Sequence, residues 1–202
     1  MKWIVNCPAL VRKTEEPSYF LVHSFSDEII EPFTQAINKA LDLEQVVFPI
    51  YIESFGGEVY TLNYLVSQID RARKQGLKIS TICNSYAMSC GADLFCYGDA
   101  NLRFLGENAT LMFHSASLGI EGKIKEVKAN ADHVDVIGNI FYEKIDKHLK
   151  KKKGFMKNLV YRDGGADVFV TAKEAETLGL GVVASPRFTV EVTTNTKVEI
   201  LP

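Results

Sequence analysis

Ser89 stands in the run Asn84-Ser85-Tyr86-Ala87-Met88-Ser89-Cys90-Gly91-Ala92, between a strand-like segment and a helical one, where a serine nucleophile is commonly presented. A helix opening at Ser89 would aim backbone N–H groups and its positive dipole end at an oxyanion, with Cys90 and Gly91 as the nearest donors. The competing role is plain helix capping, and Ala87 occupies the place of the first glycine in a G-x-S-x-G elbow. A serine nucleophile needs a base, and imidazole titrates near neutrality. The chain has 4 histidines: His23, His114, His133 and His148. His133 and His148 fall in a long helical segment, on or near solvent, and His23 follows a strand well before the glycine turn at 54–57. His114 closes an apolar strand expected beside the Ser89 unit, which makes it the candidate base. The alternative for it is an isolated core histidine. A third group, a carboxylate, would fix the imidazole tautomer. Asp163 and Asp167 both lie in the turn Tyr161-Arg162-Asp163-Gly164-Gly165-Ala166-Asp167. Either could bond its own backbone instead, and composition and periodicity leave the choice open.

The elements that must position these groups alternate between strand-like and helical patterns. Tyr19 to Val22 and 46–52 read as strands, with a helix between them that carries Ile29, Ile30, Phe33, Ile37 and Leu41 and has Pro32 near its start. Ser54-Phe55-Gly56-Gly57 forms a glycine turn. A helix with Val59, Leu62, Leu65, Val66 and Ile69 on one face follows it and closes at Gly76. Lys78 to Cys83 reads as the next strand, then a small-residue turn and a short helix from about Ser89 to Tyr97; residues 109–113 form a further strand. The alternation predicts an α/β fold with a mostly parallel sheet and helices outside it.

From about Lys123 to Lys150, apolar residues from Ile124 to Leu149 recur every three or four positions, which predicts one helix. At 1.5 Å per residue it would span about 40 Å, roughly the width of a compact 200-residue domain. It should therefore project beyond its own core, and a second copy of the chain is the simplest cover for its apolar stripe. The lysine run 150–153 at its end reads as cations favoured by the helix dipole, with Gly154 as the cap, in preference to a basic binding patch. Thr171-Ala172-Lys173-Glu174 has the form of a capping box opening a helix to Leu178 and Gly179, and 188–200 alternates like a hairpin.

The 202 residues show no internal repeat or linker, so 1–202 is expected to form one domain. Lys+Arg is 23 against Asp+Glu 25, a net charge of -2, with 47% apolar residues. That balance excludes intrinsic disorder and argues against nucleic acid as the partner. Cys7, Cys83, Cys90 and Cys96 show neither C-x-x-C spacing nor a histidine cluster, which predicts no metal site, no disulfide framework and a cytoplasmic location. The longest apolar run, 46–52, contains Pro49 and is far shorter than the roughly 20 residues needed to cross a bilayer, so no membrane partner is expected. Residues 3–11 read as a short strand and not as a signal peptide.

Residues from about 50 to 184 resemble the proteolytic subunit of the Clp protease (ClpP). Ile52-Glu53-Ser54-Phe55-Gly56-Gly57 is similar to the family's strand and S-P-G-G turn. Ser80-Thr81-Ile82-Cys83 followed by Ala87-Met88-Ser89-Cys90-Gly91-Ala92 is similar to its S-T-I-C and A-A-S-M-G-A segment, and Leu111-Met112-Phe113-His114 to its M-I-H strand end. Asp167-Val168-Phe169-Val170-Thr171-Ala172-Lys173-Glu174-Ala175, with Gly179-Leu180, matches its D-x-F-x-S-A-x-E-A…Y-G-L run. More loosely, Phe20-Leu21 through Leu41 is similar to the first strand and helix, so about four fifths of the chain is covered.

The resemblance implies a ClpP/crotonase-like spiral of β-β-α units with a long protruding handle helix. It implies a Clp-type serine endopeptidase with Ser89 as nucleophile, His114 as base, Asp167 in place of the open choice, and oxyanion-hole N–H groups from Gly57 and Cys90. No cofactor is implied. The partners implied are other copies of the chain in heptameric rings, most simply a tetradecamer, an AAA+ unfoldase, and unfolded polypeptides or short peptides as substrates. Two rivals use the same fold: a catalytically silent ring subunit, and a crotonase-type acyl-CoA enzyme. Phe55 replaces the family's proline, Ser115-Ala116 replaces Gln-Pro, and Asp93 stands where an apolar residue is usual. Phe55 and Ser115 border the expected cleft. The first 18 or so residues and the C-terminal hairpin also depart from the family's pattern, at segments expected to bear on docking of an ATPase.

Overall fold

The computed structural model describes residues 16–115 and 121–186. The proposed strand at 3–11 and hairpin at 188–200 lie outside the described residues. The first sheet runs in the order β1 (Phe20–Val22), β2 (Val47–Ile52), β3 (Lys78–Cys83), β5 (Arg103–Leu105), β8 (Val182–Val183), every neighbouring pair parallel. A second sheet places β6 (Thr110–Phe113) between β4 (Tyr86–Met88), parallel to it, and β7 (Val168–Thr171), antiparallel. The mostly parallel α/β arrangement expected from the alternation is the one observed.

Helices pack on the first sheet through apolar stripes. In α1 (Ile30–Asp42), Phe33, Ile37 and Ala40 are buried, and Phe33 meets Phe20 and Phe48 edge to face at 5.1 and 6.1 Å. Pro32 falls in the first turn, where its missing N–H has no intrahelical partner to lose. α2 (Val59–Lys74) buries Leu62, Leu65, Val66, Ile69 and Ala72, and Gly76 beyond its end adopts φ +94. The short α3 (Cys90–Cys96) is buried on nearly every side.

The long helix α4 runs Ile124–His148, within two residues of its sequence-predicted limits. None of the residues 124–140 is buried, whereas Phe141, Tyr142, Ile145 and Asp146 are. Its C-terminus differs from expectation. Lys150 takes the left-handed position that ends the helix (φ 55), while Gly154, also left-handed at φ 89, lies four residues further on; the Lys150 and Lys151 amides bond back to the carbonyls of Lys147 and Asp146 at 3.1 and 2.8 Å. Gly154 instead opens α5 (Phe155–Val160), whose first amides are capped from outside: the buried Asp146 carboxylate accepts from Gly154, Phe155 and Met156 at 2.7, 3.1 and 2.8 Å. In α6 (Ala172–Thr177), Thr171 Oγ1 accepts from the Glu174 amide at 3.3 Å, and Gly179 turns the chain at φ +69. Glu174 turns its own carboxylate to Arg162, so only the serine/threonine half of the capping box is made.

Candidate active site

Ser89 links β4 to α3 with φ 54 and ψ -125, a conformation that L side chains rarely adopt and that costs on the order of 1–3 kcal/mol. Pairings on both sides hold it there. Its amide donates to the Met112 carbonyl of β6 at 2.8 Å, and the Met88 amide donates to the Ser54 carbonyl at 2.8 Å. Glu53 adds a clamp from beneath, its carboxylate accepting from the amides of Asn84 at 3.0 Å and Tyr86 at 3.3 Å.

The register that fixes Ser89 also delivers the candidate base. Met88 pairs with Met112 in the parallel β4–β6 ladder, so the chain reaches His114 two residues further along β6. His114 Nε2 lies 2.7 Å from Ser89 Oγ, and both side chains are half-buried. With Nε2 unprotonated, this contact lets the serine hydroxyl donate to the ring that would take its proton. From α4, Tyr142 Oη donates to the His114 carbonyl at 3.2 Å and steadies the backbone there.

Asp167 stands one residue before β7, and extending the pairing Phe113–Val168 by one position sets it opposite His114. Its carboxylate is exposed and makes no hydrogen bond to His114 among the described residues. Asp163 is engaged elsewhere, paired with Arg162 at 3.4 Å. The structure therefore brings Ser89 and His114 into contact and sets Asp167 alongside in register without joining it to them. His23 and His133 are exposed. His148 departs from the expected solvent position: it is half-buried, its Nε2 donates to the Gly98 carbonyl at 2.8 Å, and its ring stacks on Tyr97 at 4.9 Å.

The glycine turn closes the other wall. Ser54 bridges to Ala87, and its Oγ accepts from the Gly56 amide at 3.0 Å. A Cβ on Gly56 would meet Ser89 Cβ at 2.7 Å, and one on Gly57 would run into the backbone of Phe25. Only glycine lets this turn sit so close to the serine. The N–H groups of Gly57 and Cys90 donate to no backbone carbonyl of the described residues. They are two free donors on either side of Ser89. Cys90 Sγ donates to the Gly57 carbonyl at 3.3 Å and ties the two walls together. Burial, reinforced by the charge of Asp93, pushes the Cys90 thiol up to about 12, so it does not compete with the serine as a nucleophile.

Among the described residues, no group of three or more His, Cys, Asp or Glu side chains is arranged to hold a metal ion, and no helix is long and apolar enough to cross a membrane. Phe55 is 72% exposed beside the turn and leans on Tyr86 at 4.5 Å. Sequence reasoning passed over Tyr142 and Glu53, whose roles depend on contacts between distant segments. A tyrosine on a helical stripe and a glutamate at a strand end carry no pattern that marks them. The match to a family model of the Clp protease extends over residues 16–183 and takes in the glycine turn, Ser89, His114 and Asp167. Family members form oligomeric rings and work with Clp ATPases. With most of its length matched and its mostly parallel α/β fold consistent with theirs, the chain belongs to the Clp protease family.

Proposed function

We propose that this chain is a catalytically competent serine endopeptidase, the proteolytic subunit of a Clp-type compartment. The observation that carries the reading is the 2.7 Å contact between Ser89 Oγ and His114 Nε2 at a strained strand-to-helix turn. Ser89 attacks the scissile carbonyl while His114 takes its proton and returns it to the leaving amine. The amides of Gly57 and Cys90 receive the oxyanion, and Asp167 orients His114. The unburied stretch of α4, with Val136 and Ile140 more than half exposed, packs against the same stretch of another copy, joining two heptameric rings. Unfolded chains fed by an AAA+ ATPase and short peptides are the substrates.

A fluorophosphonate should label the wild type at Ser89, wild type should cleave short peptides, and Ser89→Ala should do neither. Native mass should give a multiple of seven subunits. A Ser89→Ala protein that still cleaves peptides overturns the reading. The exposed carboxylate of Asp167, with no bond to His114 among the described residues, favours a second one, a ring subunit that keeps the serine and histidine without hydrolysis. A wild type that assembles but neither labels nor cleaves would establish it.

A further inference from the structure

Asp93 stands one turn beyond Ser89, its amide donating to the Ser89 carbonyl at 3.1 Å. Its charge acts on Cys90 and Cys96, which share its helix, and on Tyr142 of α4, whose hydroxyl holds the His114 carbonyl. The carboxyl thus has neighbours of the Ser89–His114 pair on one side and the later turn of α3 on the other. It makes no hydrogen bond or ion pair among the described residues, and burial raises it to about 7. The residue is half-buried and not sealed, so it keeps an edge toward solvent. The cations in this part of the fold are committed: Arg103 to the carbonyls of Leu180 and Gly98, Arg73 to Asp99, and Lys144 to Asp70. An acid surrounded by neutral groups and left unpaired is expensive to keep, and among the described residues no group of His, Cys, Asp or Glu forms a metal site with it.

We infer that Asp93 selects the substrate: it pairs with a Lys or Arg side chain on the residue that supplies the scissile carbonyl, so this chain cleaves after basic residues. That substrate residue holds its carbonyl at Ser89 and the Cys90 amide, which makes its side chain the one closest to the first turn of α3. One helical turn is about 5.4 Å. The four-carbon stem of Lys, or the guanidinium of Arg, bridges that span where a short side chain does not. An acidic side chain there would meet a like charge, and an apolar one would leave the carboxylate both desolvated and unpaired.

The inference rests on the peptidase reading, and one experiment separates the two. Fluorogenic peptides differing only in the residue before the cleaved bond (Arg, Lys, Leu or Glu) are offered to wild type, Asp93→Asn and Asp93→Leu, with fluorophosphonate labelling of Ser89 run in parallel. Wild type should favour Arg and Lys over Leu and Glu by at least about tenfold in kcat/KM, and both variants should lose that preference, with Asp93→Leu moving toward the Leu peptide. A wild type that labels and cleaves but prefers Leu overturns the inference alone, whether or not the variants fold. So does a basic preference that survives in a labelled Asp93→Asn protein. A wild type that cleaves no peptide and takes no label overturns the peptidase reading and this inference with it.

Discussion

The two ends of α3 are built on opposite plans. At its start, Ser89 is held in a strained conformation, and among the described residues the Gly57 and Cys90 amides have no backbone partner and the Asp93 carboxyl has no hydrogen bond or ion pair. At its far end the polar groups are paired several times over. Tyr97 Oη donates to Asp70 at 2.6 Å, which also takes Lys144 at 2.6 Å. Arg73 Nε donates to Asp99 at 2.8 Å, and its guanidinium lies 4.7 Å from the Tyr97 ring centroid. The Gly98 carbonyl accepts from both Arg103 and His148. A folded chain satisfies its buried polar groups unless they have something else to bind. On the peptidase reading proposed above, the start of α3 is the reacting end and the far end its anchor.

The largest effect should come from the serine itself. Ser89→Ala should lower peptidase activity by at least about a thousandfold, while Ser89→Gly should do the same and raise Tm, because glycine relieves the positive φ. A Ser89→Gly protein less stable than wild type would show that the turn is not strained. Next, Gly56→Ala pushes a Cβ against Ser89, and kcat should fall by about a hundredfold or more, since displacements near 1 Å suffice for that. At the anchored end the order reverses. Arg73→Met leaves the Tyr97 carbonyl and one carboxylate oxygen of Asp99 without their donor, the other oxygen keeping the Ile79 amide, and should cost about 1–3 kcal/mol in denaturant unfolding, with activity per folded molecule retained. Loss of activity with no loss of stability would erase the distinction between the ends.

Two smaller effects sharpen it. Lys150 carries a positive φ with no reacting group to hold, so Lys150→Gly should stabilise by about 0.5–1 kcal/mol and leave cleavage alone. An acid titration reads the anchor through His148. Burial is the main cause that lowers its pKa below the usual 6.5, and Arg73 and Arg103 add to this against the opposing Gly98 carbonyl and Asp99. The unfolded chain then binds the proton more readily than the folded one, so this part of the stability is whole above pH 6.5 and declines as pH falls through it toward the lowered value. Tm measured from neutral to mildly acidic pH should drop more steeply in wild type than in His148→Gln, and equal slopes would remove His148 from the account. Asp70 does not confuse the test. Burial opposes its ionisation, but bonds from Lys144 and Tyr97 outweigh that and hold it below 3.8, so its contribution is lost only in much stronger acid.

Much of this was legible in the sequence wherever a pattern was long. The stripes of α1, α2 and α4 and the apolar runs of β2 and β3 give their elements within a residue or two. The three-residue strands β4 and β5 escaped, because period-two alternation has no room to register in Tyr86–Met88 or Arg103–Leu105. At 150–154 glycine chemistry misled: Lys150 takes the left-handed turn that ends α4, and Gly154 instead leads into α5, whose first amides meet the Asp146 carboxylate in a contact no local rule foresees. In the site, Ser89 and His114 could be nominated by residue type and by their places at element ends. The choice of Asp167 over Asp163 came from family likeness, since two turn aspartates four residues apart look alike to any local criterion. Asp93 was visible only as a departure from the family's apolar residue. Its want of a partner among the described residues is a fact of three dimensions.

Asp146 does more than cap α5. By gripping three consecutive amides from within the last turns of α4, it welds the two helices into a single corner. The outer stretch of α4, residues 124–140, extends roughly 25 Å at 1.5 Å per residue and has no buried footing of its own. Its tie to the rest of the chain runs through that carboxylate to α5, and from there through 161–166 to the strand that begins beside Asp167.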